Sequence, residues 1–595
     1  MEVIDTDLVI IGGGGAGLRA AIAAASTDPT LRIALVSKVL PMRSHTVAAE
    51  GGSAGVIDDS DSLDKHFDDT VSGGDWLCEQ DVVETFVRQC TPEMVQLEHW
   101  GCPWSRRDDG SINVRYFGGM KSPRTWFAAD KTGFHILHTL FQTSLKYPSI
   151  QRYDEFFCSE LLVDDGRVRG VLAFAVATGE SVLLHCNAAI LATGGASRVY
   201  GHNTNAGIVT GEGMGMAYAQ GVPLRDMEFV QWHPTALPGT GILITEGARG
   251  EGGVMINRDG RRYLQDYGLG PLDPWPRPRA MELGPRDRVS QAFWHEDQAG
   301  RTIETAGGTA VQLDLRHLGE RKINERLPMI RELARTYMAI DPVQTPIPVR
   351  PAVHYTMGGI VCDASGATPL AGLYAAGECA SVGIHGANRL GSNSLAELLV
   401  FGRAAGEAAA AMARVHDRSA GGVSTAVQAL AHDAEARALR LLDVDGGTRL
   451  VELRNTLHDI MESGVGIVRD GERMARACER LAALREQLRQ GIHLDDRGRR
   501  FNTEWLSALE LQHAVAVAEA MAHSALLREE SRGAHLRIDA CNARDDARFL
   551  CHSLASYRGD AAPEITHAPV TITRSRPAER VYGRDQQPEP MTQET

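Results

Sequence analysis

Apolar runs alternate with polar breaks most regularly at the start of the chain. Asp7 to Ile11 (DLVII) is a short run of strand type, Leu18 to Ser26 is an alanine-rich helical stretch, and Arg32 to Val36 is a second strand. Strand, helix and strand at this spacing predict a βαβ unit. A later run, Ala188 to Ala192, ends in a Thr193-Gly194-Gly195 turn, and Gly372 to Glu378 (GLYAAGE) reads as a short strand, a small-residue turn and an acid. Ser394 to Arg414 is helical and alanine-rich. Thr425 to Leu442 and Gly471 to Leu488 carry apolar residues at helical spacing, which predicts a helical bundle packed on the remainder. His416 to Val423 (HDRSAGGV) has the composition of a linker. The chain after Arg574 is polar and contains proline, and about its last dozen residues are expected to be disordered.

Within the first unit, Gly12, Gly14 and Gly17 form G-x-G-x-x-G between strand and helix. The first glycine makes the turn, the second admits a pyrophosphate and the third lets helix and strand pack closely. The helix N-terminus then faces the phosphates. The acid expected after the second strand is missing, and Ser37 and Lys38 stand there, which argues against free NAD and for another way of holding the ribose. Together, the glycine motif, the ATGG turn and the late AxGE are similar to FAD proteins of the glutathione-reductase-like group. That resemblance implies a discontinuous domain whose last strand returns near residue 375. Pro41 to Gly52 (PMRSHTVAAEGG) follows the nucleotide-binding opening and sets His45 among small residues, which let backbone approach a flat ring. We read that ring as a flavin bonded to His45.

The 595 residues are too many for one core and predict two to four domains. The 61 basic and 76 acidic residues give a net charge of -15, which argues against nucleic acid as the main partner but leaves room for a local basic pocket. No apolar run reaches the ~18 residues of a membrane span, and the acidic start MEVIDTD is unlike a signal peptide. The expectation is a cytoplasmic chain, held at a membrane by other subunits if at all. The ten cysteines include no CxxC pair, so any iron–sulfur clusters on the electron route belong to a partner.

Seven long stretches then carry a broader resemblance: RSHTVAAEGG (43–52), GGDWLCEQD (73–81), FGGMKSPRTWFAADKTGFH (117–135), QWHPTALPGTGILITEGARGEGG (231–253), MELGPRD (281–287), HYTMGG (354–359) and HGANRLGSNSLAEL (385–398). Along nearly its whole length the chain resembles the flavoprotein subunits of the fumarate reductase and succinate dehydrogenase family. The fold implied is an α/β FAD-binding domain, Rossmann-like and discontinuous over 1–230 and 351–415. An α+β capping domain (231–350) is inserted in it, and a helical domain (416–540) and a small C-terminal segment (541–595) follow.

The resemblance also implies roles. His45 matches the histidine joined covalently to the flavin, a bond that raises its reduction potential. Arg389 and His354 match the grip on one carboxylate of a four-carbon dicarboxylate, which an arginine fork meets bidentately. His233 and Thr245 match the grip on the other, with the backbone at Gly52 contributing and Phe117 packing beside the substrate. Arg286 matches the proton donor. Arginine is a poor acid, with a free pKa above ~12, and serves only if a relay reprotonates it, which the match assigns to Glu246 and Arg249. FAD contacts are expected from Gly12, Gly13, Gly14, Gly15 and Ala16; from Val36, Ser37 and Lys38; and from Ser44, Thr46, Val47, Ala48, Ala49, Glu50, Gly51 and Gly52. Phe156, Phe157, Cys158, Glu212, His354, Tyr355 and Glu378 follow, and then Arg389, Leu390, Gly391, Ser392, Asn393, Ser394 and Leu395. Glu212 stands where the family more often has aspartate, Trp232 where it tends to have tyrosine, and Ser197 replaces a glycine. SRGAH (531–535) is expected to be a docking or structural segment between subunits.

The implied reaction is fumarate reduction, reversible as succinate oxidation, with no metal in this chain. The implied partners are an iron–sulfur subunit, membrane-anchor subunits with their quinone, and a flavinylation assembly factor, on the cytoplasmic side of a bacterial inner membrane. L-aspartate oxidase, which generally lacks the linking histidine, is the nearest enzymatic rival. A tRNA-modifying flavoprotein is the rival from another class, disfavoured by the net charge of -15.

Overall fold

The computed structural model describes residues 1–269, 281–415, 422–540 and 542–580. At its centre is a five-stranded parallel sheet in the order Leu373–Ala375, Ala188–Leu191, Leu8–Ile11, Ile33–Ser37 and Ile150–Asp154. Its inner strands are buried on both faces, as expected of parallel strands covered on both sides. Helix Gly15–Thr27 begins inside the glycine motif, three residues earlier than the apolar pattern alone suggests. It packs against helix Asn393–Val415, and glycines bring the two backbones together. A Cβ added at Gly406 would lie 2.3 Å from the Ala20 carbonyl oxygen.

A four-stranded sheet in the order Glu2–Asp5, Ser181–His185, Arg167–Ala175 and Phe156–Asp164 adjoins the first and brings Phe157 and Cys158 towards the glycine turn. The segment between residues 230 and 356 forms its own sheet, in the order Val230–Ala236, Ile347–Thr356, Gly308–Asp314 and Val254–Ile256, with helix Arg286–Gln298 against it. It has a separate apolar core that includes Met255, Tyr263, Val289 and Val349. The expected crossing points at 230/231 and 350/351 fall within Val230–Ala236 and Ile347–Thr356, which pair antiparallel, so chain enters and leaves this cap side by side.

Four helices, Thr425–Arg440, Leu450–Gly464, Gly471–Gln490 and Thr503–Leu527, follow. Three of them start on side-chain caps. Ser424, Asp470 and Asn502 accept from the backbone N–H of Val427, Arg473 and Trp505, which supplies partners for otherwise orphaned donors. Their apolar faces join the same contiguous core as the nucleotide-binding sheet. The helix expected over 425–442 ends at Arg440 and gives way to a short 3-10 turn, Leu441–Asp443. The expected linker lies outside the described residues from 416 to 421, as does the expected disordered tail beyond 580.

One C-terminal expectation changes. SRGAH is buried within this chain: Arg532 and His535 are enclosed, Arg532 donates to the Asp75 carbonyl at 2.9 Å and Gly533 N–H to Asp75 Oδ2 at 3.0 Å. It is an internal brace, because the Arg532 guanidinium finds its acceptors, Glu530, Asp546 and the Asp75 carbonyl, within this chain. The polar stretch after Arg574 is also held down. Ser575 Oγ accepts from Trp76 Nε1 at 2.9 Å, and Arg580 donates to Asp287 Oδ2 at 2.8 Å.

Candidate active site

The central sheet opens at its carboxyl edge into a cavity of about 460 Å³, where open α/β sheets bind their ligands. Gly12, Gly13, Gly14, Gly15, Ala16, Val36, Ser37, Lys38, Ser44, His45, Thr46, Ala48, Ala49 and Glu50 line it. So do Phe156, Phe157, Cys158, Glu212, His354, Tyr355, Glu378, Arg389, Ser394 and Leu395.

Glycine is required in the turn. At φ +120°, Gly12 would place a Cβ 2.1 Å from the Ala192 carbonyl oxygen, and a Cβ on Gly17 would sit 1.8 Å from the carbonyl oxygen of Gly12. Gly14 precedes the helix without a side chain to cap it, no acid occupies the first turn, and Gly15 N–H donates to Thr46 Oγ1 at 3.2 Å, so the positive end of the helix faces the cavity. Five buried polar atoms on lining residues, Ser44 Oγ, Glu50 Oε2, Thr193 Oγ1, Asn205 Oδ1 and Arg389 Nε, have no hydrogen-bond partner among the described residues. A long cavity with a glycine cradle for phosphates and unmatched donors and acceptors fits FAD.

Lys38 takes the place of the absent acid and is itself neutralised, its Nζ lying 2.6 Å from both Glu212 Oε1 and Glu510 Oε1. His45 Nδ1 accepts from Ala206 N–H at 3.3 Å. Burial, and then Arg198, push its pKa down to about 4, so its ring is neutral and nucleophilic. Burial, and then Asp130, push Glu50 up to about 8, and burial pushes Glu378 up to about 7.

The expected substrate and proton-transfer groups gather beside His354 and Arg389 on the cavity wall. The His233 and His354 ring centroids are 5.0 Å apart. Both histidines are held well below the usual range, first by burial and then by Arg286. They are neutral donors beside cations. Thr204 Oγ1 lies 2.7 Å from His354 Nδ1. Arg389 sits 4.3 Å over the Tyr355 ring and donates to Ser394 Oγ at 3.1 Å, while burial, and then Arg286, lower it to about 10. Thr245 caps the short helix Glu246–Gly250, accepting from Gly247 N–H at 3.3 Å.

Arg286 opens helix Arg286–Gln298 and grips Glu246 Oε2 through Nε at 2.9 Å and NH2 at 2.8 Å. Its NH1 donates to Gln231 Oε1 at 3.0 Å. Burial resists ionisation of Glu246, but Arg286 and Arg249 hold its pKa below the usual carboxylate range. The second arm of the relay is longer. Arg249 NH2 is 3.9 Å from Glu246 Oε2, and Arg249 Nε and NH2 have no hydrogen-bond partner among the described residues.

The structure does not bring every expected contact to the cavity wall. Val47, Gly51, Gly52, Leu390, Gly391, Ser392 and Asn393 form a layer behind it. Leu390 packs with Phe117 and Met120, Ser392 Oγ lies 2.8 Å from Thr125 Oγ1, and Asn393 Oδ1 lies 3.1 Å from His66 Nε2. Phe117 is wedged between Gly51 and Gly391, and the next residue, Gly118, donates its N–H to Glu246.

The sequence reading missed two residues. Gln231 donates to the Arg389 carbonyl at 2.8 Å while accepting from Arg286, so one amide joins both arginines. Its only signal was its position beside the WHPT motif. Glu510 reaches Lys38 from a distant helix, and nothing in the sequence pairs them.

Comparison with known proteins follows the same lines. A family described as "FAD binding domain" matches residues 7–395, and "Fumarate reductase flavoprotein C-term" matches 454–582. The fumarate reductase flavoprotein subunit of Serratia sp. is 60% identical, over 98% of this chain and 97% of that one. The succinate dehydrogenase flavoprotein subunit of Coxiella burnetii is 39% identical, over 96% and 97%. Among solved structures, an E. coli quinol fumarate reductase flavoprotein variant superposes with a TM-score of 0.95 at 58% identity, covering 98% of this chain and 100% of that one.

Proposed function

The chain belongs to the family of fumarate reductase flavoprotein subunits, FAD-binding oxidoreductases, and from that premise we propose how its own residues interconvert fumarate and succinate. The observation that carries the reading is the cluster of buried Arg286, Arg389 and His233 with half-buried His354 beside the FAD cavity. Two fixed cations and two neutral imidazole donors, held on separate strands and loops, suit a dianion with a carboxylate at each end.

Bound FAD supplies the hydride for one alkene carbon and accepts it in the reverse direction. Gly12 to Ala16 and the helix N-terminus hold its pyrophosphate, and Lys38 with Glu212 holds its ribose end. Glu378 and the wall formed by Ser44, Thr46, Ala48, Ala49 and Glu50 surround the ring system. With Nδ1 accepting from Ala206 N–H, the ring proton of His45 sits on Nε2, the nitrogen that would bond to the flavin on losing that proton.

Arg389 and His354 hold one carboxylate of the substrate, His233 and Thr245 the other, and Phe117 keeps water from this end. Gripping both ends twists one carboxylate out of the alkene plane and makes the far carbon more electrophilic. Arg286 delivers the proton to that carbon. Nε and one hydrogen on each terminal nitrogen are engaged by Glu246 and Gln231, so NH1 and NH2 each retain one uncommitted hydrogen. Glu246, ionised at rest, then passes on to Arg286 across 2.8 Å a proton that it takes from Arg249. The 3.9 Å gap to Arg249 must tighten, or carry a water, when substrate binds.

The relatives are subunits of larger complexes, one of them described as quinol-fumarate reductase with menaquinol molecules. We propose for this chain an iron–sulfur partner, membrane-anchor subunits carrying quinone, and a visiting flavinylation factor, at the cytoplasmic face of the membrane. Among the described residues no helix is long and apolar enough to cross a membrane. Acid precipitation of the holoprotein tests the assignment: flavin should stay with the pellet and fumarate should reoxidise a reduced viologen dye. Quantitative release of flavin, with oxidation of aspartate in place of fumarate reduction, would favour an aspartate oxidase.

A further inference from the structure

Asp287 follows Arg286 directly in the first turn of the cap helix Arg286–Gln298, and its side chain is only 1% exposed. A carboxylate taken out of water needs cations or donors to meet it. Arg580, 293 positions further along the chain, supplies them. Its NH1 lies 2.8 Å from Asp287 Oδ2 and its NH2 3.3 Å from Oδ1. The same NH1 lies 3.3 Å from Asp75 Oδ2. Asp75 stands in the turn between helices Leu63–Gly73 and Gln80–His99, outside the cap. One guanidinium therefore joins the cap to the FAD-binding part, beside the group assigned to proton delivery.

The turn that receives this arginine is strained. Asp75 and Trp76 are consecutive non-glycine residues at φ +56° and +57°, a left-handed conformation that costs such residues energy. Both side chains engage the C-terminal stretch: Asp75 meets Arg580, and Trp76 Nε1 donates to Ser575 Oγ at 2.9 Å. Gln80, buried at the start of the next helix, adds a clamp. Its Oε1 accepts from the backbone N–H of Thr573, Arg574 and Ser575 at 3.0 to 3.1 Å, and its Nε2 donates to the Ser575 carbonyl at 2.6 Å. Residues 573–575 are thereby fixed, and a short span carries the chain from them to Asp287.

We propose that Arg580 is a positioning residue for proton transfer: it pins Asp287 to Asp75, fixes the first turn of the cap helix, and so aims Arg286 at the substrate. The inference rests on Arg286 as the proton donor. Arg580 does not line the FAD cavity. It acts through Asp287 on where the Arg286 fork points, while Arg389, His354 and His233 keep their hold on fumarate.

The test measures viologen-driven fumarate reduction by the flavin-loaded full chain carrying Arg580→Ala, Arg580→Lys or Arg286→Lys. Displacing a catalytic group by about 1 Å costs up to ~10²-fold in rate, so Arg580→Ala should lower kcat about tenfold or more. The fumarate KM should stay within about twofold of wild type, because what is lost acts in the transition state and not in binding. Arg580→Lys keeps a cation for Asp287 and should recover part of the loss. Adding Asp287→Asn to Arg580→Ala should slow the enzyme no further, since both substitutions break one path. Wild-type kcat in Arg580→Ala overturns the proposal. So does a fall in kcat matched by a rise in KM, or an Arg580→Lys variant no better than Arg580→Ala. If Arg286→Lys is impaired while Arg580→Ala is not, only the strap fails. If both turn over normally, the proton-donor reading fails with it.

Discussion

Lys38 Nζ lies 2.6 Å from Glu510 Oε1, joining the end of the second central strand to a helix 472 positions further along the chain. The ammonium is half-buried, and Glu212 and Glu510 together raise its pKa against the effect of burial. Glu510→Ala leaves Lys38 with one counter-ion. Loss of one acceptor of this half-buried cation should lower stability by about 1–3 kcal/mol and weaken retention of the ribose end of FAD. Denaturant unfolding of the apoprotein and FAD titration measure the two effects, and an unchanged FAD affinity would make the contact purely structural.

Gly17→Ala is the sharpest test of the phosphate cradle. The new Cβ would lie 1.8 Å from the Gly12 carbonyl oxygen, a backbone atom that cannot step aside. The expected product is a chain that purifies without flavin. Stoichiometric FAD in that variant would show that the turn can reshape.

Much of this cradle was legible in the sequence. The strand, glycine turn and helix are local, and the Gly17–Gly12 constraint acts within a few residues of chain, the range over which pattern reasoning works, whereas Gly12 is also confined by the distant Ala192 carbonyl. His45 among small residues was legible for the same reason. Gln231 was not. It is one of three polar residues in a fully buried strand, and its two arginine partners lie 55 and 158 positions away. Glu510 and Arg580 were invisible too, because surface-type residues in a helix and a tail gave no sign of turning inward. The motif at 389–395 specified which residues cluster but not which of them face the cavity. Leu390 to Asn393 turn away because Phe117, Thr125 and His66 receive them from behind.

Two buried histidines should give opposite pH signatures. His552 sits 2.6 Å from Asp226 and 3.0 Å from Glu79, and against the effect of burial these carboxylates raise it from 6.5 to about 9. Its contribution to stability is therefore complete below pH 6.5 and is lost as pH rises through about 9. Burial, then Arg124, lower His66 from 6.5 to about 3. The unfolded chain then binds the extra proton, so the contribution of His66 is present above pH 6.5 and fades as pH falls towards 3. Unfolding free energies of wild type, His552→Gln and His66→Asn across this range check both signs. A wild-type minus His552→Gln difference that stays constant between pH 6.5 and 9 would refute the first.

His45→Ser should leave FAD bound but not covalent, since the glycine cradle and the walls of the cavity remain. With the potential of the flavin lowered, succinate oxidation should be lost well before fumarate reduction. Equal loss of both activities would argue that His45 positions the ring and does not tune it.

The account rests on Arg286 as the group that hands a proton to substrate, and Arg286→Lys tests it most directly. Lysine keeps the charge but cannot span Glu246 and Gln231 together, contacts that now lie at 2.8 to 3.0 Å. Turnover of fumarate with reduced viologen should fall by about 10²–10⁴-fold, the usual worth of a positioned acid, with fumarate binding held near wild type by Arg389 and the two histidines. Turnover close to wild type would contradict the assignment.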